Sequence, residues 1–206
     1  MILSCRDVTI TYDSKIAVDH VSFEVNEGDY VCIVGENGSG KSTLLKLLAG
    51  LQKPLQGEIT IDGDPIKGAS LERTVVFQDY GLFPWMTAGE NILLALQQKY
   101  PKQPKKELKN RAMEMLKQVG LDESVYKKLP KELSGGMKQR CAIARSLGVD
   151  APILLMDEPL SALDAETRSN MQLLIMDLHR LLDNTVIMVT HSESEAKIMC
   201  DEILKF

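Results

Sequence analysis

Residues 35 to 42 read "GENGSGKS", and this stretch restricts the surrounding chain more than any other. It matches G-x-x-x-x-G-K-[ST], a turn that leads from a strand into a helix and wraps around phosphate oxygens. Glycines let backbone N–H groups point inward without a Cβ clash, and the helix start adds its partial positive charge. The flanks agree: "YVCIV" (Tyr30 to Val34) is apolar at successive positions, and Leu44, Leu47, Leu48 and Leu51 recur at helical spacing. In such a cradle Gly35, Glu36, Asn37, Gly38, Ser39, Gly40 and Thr43 surround the phosphates. Lys41 reaches the terminal ones, and Ser42 offers an oxygen to Mg²⁺.

Further apolar runs at Glu58 to Ile61, Thr74 to Phe77, Ile153 to Met156 and Val186 to Val189 alternate with helical patterns. Successive apolar positions suit strands covered on both faces, so an α/β domain with a mainly parallel sheet is expected. Asp164 can cap a helix whose stripe is Met171, Leu174, Ile175, Leu178, Leu181 and Leu182. Two segments depart from the alternation. Residues 1 to 30 read as short strands and turns, an antiparallel β patch. Residues 87 to 148 read as wholly helical, with stripes at Leu108, Ala112, Met115, Leu116, Val119 and at Met137, Cys141, Ala144, Leu147. The expectation is a single domain over 1–206, with a core of 1–86 and 149–206 interrupted by a helical subdomain at 87–148. The basic stretch "KYPKQPKKELKNR" reads as a solvated linker into one of those helices.

Composition narrows the classes of function. A net charge of -5 over 206 residues argues against nucleic acid as the main partner, because phosphate-backbone binding needs a basic face. No run approaches the roughly 18 apolar residues of a membrane helix, and "MILSCRDVTI" lacks the pattern of a signal peptide. Any membrane span must then come from another chain. The four cysteines (Cys5, Cys32, Cys141, Cys200) form no C-x-x-C pair, so zinc is not expected. Cys32 reads as a small buried hydrophobe, and a reducing, cytoplasmic compartment fits.

"ILLMDEP" (Ile153 to Pro159) is an apolar strand ending in two acids. At a strand tip beside a phosphate loop, Asp157 is suited to the Mg²⁺ shell and Glu158 to accepting a proton from attacking water, a plain turn before Pro159 being the equal alternative. "LSGGMKQR" (Leu133 to Arg140) completes a set of motifs. With the phosphate loop, Gln78, "LLMDEP", "SALD" (Ser161 to Asp164) and "VTH" ending at His191, the chain resembles the nucleotide-binding subunits of ABC (ATP-binding cassette) transporters. The resemblance covers essentially the whole chain in motif order.

The resemblance implies a P-loop NTPase (RecA-like) core and an ATPase that uses MgATP. Two copies pack head to tail around two ATP molecules. Ser134 and the N–H groups of Gly135 and Gly136, opening a helix, then cover the γ-phosphate held by the other copy. His191 contacts that phosphate and orients the water, Asp164 lies along the dimer seam, and Tyr12 stacks on adenine. Gln78 touches Mg²⁺ or its water. The apolar loop after it, "FQDYGLFPWM", lies beside the groove that receives a helix of a transmembrane permease subunit. A small local core is the other use for such residues, Leu82 among them.

The wording "FQDYGLFPWMTAGENI" and Met137 after "LSGG" resemble the importer branch for nitrate, sulfonates, taurine and related small solutes. An extracytoplasmic solute-binding protein would then be an indirect partner, and the subunit would lie peripherally on the inner face of the cell membrane. The alternatives are an exporter subunit, which shares the catalytic motifs, and a soluble non-transport ABC ATPase. The end at "DEILKF", soon after His191, is shorter than in many relatives and is expected to leave fewer dimer contacts.

Overall fold

In the computed structural model, residues 2–12 and 15–206 are described, the side chains of Ile2, Tyr12 and Lys15 excepted. Two compact units emerge. The first comprises the described residues of Met1–Val75, with Pro152–Glu158 and Leu178–Phe206; the second comprises Val76–Ala151 and Pro159–Asp177. The second unit is thus wider than the helical stretch 87–148 read from the sequence.

Two sheets build the first unit. Strands β1 (Ile2–Tyr12), β2 (Lys15–Asn26), β4 (Gln56–Ile61) and β5 (Asp64–Pro65) form one, in the order β2-β1-β4-β5. Strands β3 (Tyr30–Val34), β6 (Arg73–Val76), β7 (Ile153–Asp157), β8 (Thr185–Thr190) and β9 (Glu202–Lys205) form the other, in the order β6-β7-β8-β3-β9. In the second sheet β3 runs parallel to both β8 and β9, and β7 runs parallel to β8. Every residue of β3, β7 and β8 is buried, the state that unbroken apolar runs require. Helix α1 (Lys41–Leu48) adds Leu44, Leu45, Leu47 and Leu48 to the same core as Val31, Ile33, Leu155 and Ile187.

The antiparallel patch is larger than the sequence suggested. β1 pairs antiparallel with both β2 and β4 over long registers. β4, which looked like one more strand of the parallel sheet, belongs here; its first three residues are exposed and only Ile59 and Thr60 are buried. A strand with one wet face can pair antiparallel, whereas a central parallel strand cannot stay wet. Asp62 (φ 53°) and Gly63 (φ 86°) make the turn into β5, the left-handed pair that a tight hairpin demands. β9 was not anticipated; four residues are too few for a periodic signal. It runs beside β3, which brings Cys200, at the end of α6 (Glu193–Met199), to Cys32. The two side chains meet there, with a Cα–Cα distance of 5.8 Å. Cys32 is therefore buried as expected but is not only a small hydrophobe.

The second unit holds α2 (Ala88–Lys99), α3 (Lys105–Gln118) and α4 (Gly135–Gly148), with single 3₁₀ turns at Glu123–Lys127 and Pro130–Glu132. Thr87 and Glu90 close a capping box at the start of α2. The stripe Leu108, Ala112, Met115, Leu116 and Val119 is buried throughout. On α4, Cys141 and Ala144 are buried, while Met137 and Leu147 are partly so. Helix α5 (Ala165–Leu182) buries Met171, Ile175 and Leu178, but Leu181 and Leu182 are exposed. Its apolar stripe is thus narrower than the sequence pattern, because the last turn faces away from the packed side. No helix among the described residues is long and apolar enough to cross a membrane.

Candidate nucleotide site

In the first unit β3 feeds directly into the phosphate loop. Gly38 (φ 81°) and Gly40 (φ 98°) are left-handed, and a Cβ on Gly40 would run into the carbonyl oxygen of Ala17. No side chain caps α1, so its first N–H groups stay available for an anion. The Lys41 side chain is buried against the loop and donates to the carbonyls of Gly35 (2.9 Å) and Glu36 (2.6 Å). Ser39 carries a buried hydroxyl without a hydrogen-bond partner. Glu36 and Asn37 are exposed on the rim, while Ser42 and Thr43 are partly buried.

Ser42 donates to the Asp157 carboxylate at 2.8 Å, joining the start of α1 to the tip of β7. Burial pushes the Asp157 carboxyl above its ordinary value; the Ser42 bond opposes the shift, the charge of Glu158 adds to it, and Lys46 and Lys41 pull it down. A buried carboxylate beside a hydroxyl, at a phosphate loop with an orphaned Ser39 hydroxyl, is a donor set that suits Mg²⁺ with a phosphate. The residues present fit the group.

Glu158 follows with φ 44°, held there by its N–H donating to the Val189 carbonyl at 2.9 Å. The left-handed backbone turns its side chain out of the strand direction, a strain of about 1 kcal/mol or more that neighbouring structure must hold. Its carboxylate lies 3.2 Å from His191 Nδ1, just past the end of β8. Thr190 supports that turn by donating to Glu195 (2.8 Å) and accepting from the Ser192 N–H (3.1 Å). A cavity of about 420 Å³ opens here, lined by Gly35, Glu36, Asn37, His191, Glu193 and Lys205 among others. Phe206 also lines it; its N–H donates to the Val34 carbonyl (2.8 Å), and its own carbonyl blocks any Cβ on Gly35. Phe206, directly after β9, thus buttresses the phosphate loop, a role no local pattern in "DEILKF" announces.

The second unit carries Ser134, Gly135, Gly136, Asp164 and Gln78. Ser134 caps α4, accepting from the Met137 N–H at 3.3 Å. Gly135 and Gly136 form its first turn, where no acidic residue opposes an anion. A Cβ on Gly136 would press on Thr167 Cγ2 at 2.7 Å. Thr167 in turn caps onto Asp164, whose carboxyl its N–H (3.0 Å) and hydroxyl (2.8 Å) hold below the usual carboxylate range. Gln78 is exposed at the head of its loop. Tyr12 ends β1, and its side chain lies outside the described residues.

Two residues of this unit escaped the sequence reading. Asn91 is fully buried in α2; it accepts from the Phe83 N–H (2.8 Å) and donates to the carbonyls of Phe83, Met86 and Thr87. An asparagine inside "NILLAL" is the only hint the sequence offers. Arg145 of α4 donates to the carbonyls of Tyr80 and Gly81, and nothing near it in sequence points to either.

Comparison with known proteins places the chain as a whole. A family profile described as "ABC transporter" matches residues 18–161. The nitrate transport protein NasD of Klebsiella oxytoca is 40% identical over 92% of this chain and 72% of that protein. The taurine import ATP-binding protein TauB of Burkholderia pseudomallei (strain 1710b) is 39% identical over 98% of this chain and 78% of that protein. Among solved structures, a dimeric ATP-binding cassette in a post-hydrolysis state with ADP and Pi superimposes with a TM-score of 0.89 at 34% identity, covering 99% of this chain and 94% of that one. By this profile match over most of its length and by these relatives, the chain belongs to the ABC transporter family.

Proposed function

We propose that the chain is the ATP-hydrolysing subunit of an importer for a small solute such as nitrate, a sulfonate or taurine. It works as a head-to-tail dimer, peripherally on the cytoplasmic face of a membrane, where a reducing environment would keep Cys32 and Cys200 as thiols. Lys41 and the N–H groups from Gly35 to Thr43 bind the phosphates, and Tyr12 stacks on adenine. Ser42 and Asp157 hold Mg²⁺, which supplies neutralisation of the charge on the terminal phosphates. For Gln78 the family resemblance supports a contact to that ion or its water. Ser134, Gly135 and Gly136 close over the γ-phosphate bound by the second copy. Phe83 and Trp85 dock a transmembrane permease subunit, which in turn meets a solute-binding protein.

The observation that carries the reading is the Glu158–His191 pair, 3.2 Å apart at the ends of the adjacent parallel strands β7 and β8. Glu158 takes the proton of the attacking water, while His191 holds the water and the γ-phosphate in line. Phosphoryl transfer depends mostly on positioning and electrostatics, and a general base adds about 10²- to 10⁴-fold. Glu158→Gln should therefore bind ATP, form a nucleotide-dependent dimer on size exclusion, and lose steady-state hydrolysis by that factor. Turnover close to that of the unaltered protein would reject the assignment.

A further inference from the structure

The loop between β6 and α2 combines strain with unusually firm anchoring. Tyr80 (φ 67°) and Gly81 (φ 55°) are both left-handed, a conformation a tyrosine adopts only when its surroundings hold it there. What holds it is α4. The Arg145 guanidinium forks between the carbonyls of Tyr80 and Gly81, leaving no room for a Cβ at Gly81 without pressing on the same group. The Tyr80 hydroxyl lies against Gly135, 3.3 Å from where a Cβ would stand. One loop therefore meets α4 twice: at its opening turn, beside Ser134, and again through Arg145.

The other end of the loop is equally fixed. Asn91 grips Phe83 and Met86 on both sides of Pro84 and Trp85. The rings of Phe83 and Trp85 pack at 5.5 Å, and Trp85 is 74% exposed. Only Leu82 separates the Arg145 anchor from the Asn91 anchor. A shift of α4 is passed along this path with little slack, because each anchor is a set of several hydrogen bonds.

We infer that Arg145 is a positioning residue that carries displacement of the signature helix to the exposed Phe83–Trp85 patch. Arg145 acts through the two loop carbonyls that its guanidinium holds. It makes the patch a reporter of whether the anion site at Ser134 to Gly136 is filled. The inference rests on the functional reading above, since that reading supplies the ligand which moves α4. A guanidinium is needed for the role, because a lysine ammonium cannot fork between two carbonyls in fixed geometry.

Trp85 is the only tryptophan, so its emission reports the patch without any label. The test uses the free full-length subunit in the Glu158→Gln background with MgATP. Emission, nucleotide-dependent dimerisation and melting temperature are read on the parent and on Arg145→Lys and Arg145→Met. The expected result is an emission change on dimerisation in the parent and its loss in both variants, with dimerisation retained. If Arg145→Met fails to fold, Arg145→Lys alone decides. A parent that never dimerises with MgATP sinks the functional reading and this inference together. A parent that dimerises without an emission change, or an Arg145→Lys variant that keeps the full change, sinks the inference alone. So does a variant whose melting temperature falls while its signal stays intact, since that marks a purely structural role. Docking is read separately, by whether Trp85→Ala still co-purifies with the permease.

Discussion

At the scale of single residues, hydrogen bonding decides more than charge. Lys41, Ser42 and Asp157 are each held by hydrogen bonds around the phosphate loop. On the surface the same logic gives a pH-dependent pair. His20 Nδ1 lies 2.6 Å from Asp7 Oδ1. The bond to Asp7 lifts His20 above its ordinary 6.5, and the bond to His20 lowers Asp7 below 3.8. The raised histidine stabilises the fold fully below pH 6.5, and that contribution is lost as pH rises through its folded value. The lowered aspartate contributes above pH 3.8, and its share is lost as pH falls through its folded value. The pair is thus fully effective between about pH 3.8 and 6.5. An NMR titration should give His20 a higher midpoint in the unaltered chain than in Asp7→Asn; equal midpoints would show that the contact does not form in solution.

At the scale of elements, α2 and the loop before it behave as one object because Asn91 satisfies four backbone groups from Phe83 to Thr87. Removing the side chain strands those groups next to a buried site. Asn91→Ala should cost about 2–4 kcal/mol, since each unsatisfied buried polar group costs about 1–3 kcal/mol and some recover water. Asn91→Asp should cost at least as much, because a carboxylate would face three carbonyls it cannot donate to. Denaturant midpoints check both; a cost under about 0.5 kcal/mol, the range of ordinary surface changes, would mean the loop holds itself. Loops that carry function are usually mobile. This one is pinned at both ends, as an element must be if it passes on a displacement.

For the whole molecule, the completed site is expected to need two copies. The phosphate loop belongs to the first unit and the Ser134 turn to the second, and the proposal pairs each with its counterpart on the other copy. Lys41→Ala and Ser134→Ala should each spoil both sites of their own homodimer. Mixed, they form heterodimers with one intact and one doubly damaged site, so nucleotide-dependent dimerisation should return in the mixture. Persistent monomers after mixing would argue that each chain completes its own site.

What the sequence determined was the chemistry that neighbours along the chain create together. The phosphate loop, the acids at the tip of β7 and the Ser134 turn are all legible, because each depends on residues a few positions apart. The same holds for β3, β7 and β8, whose unbroken apolar runs demand cover on both faces. Only the tertiary structure decided which distant groups meet. Glu158 finds His191 because β7 and β8 are adjacent, and β4 joins the antiparallel sheet because half of it stays wet. Cys32 finds Cys200 across 168 residues because β9 runs beside β3. Arg145 reaches Tyr80 and Gly81 because packing of the second unit lays α4 along their loop. Periodicity reports which side of an element is buried; the partner on that side is set by topology and register, which no local pattern contains.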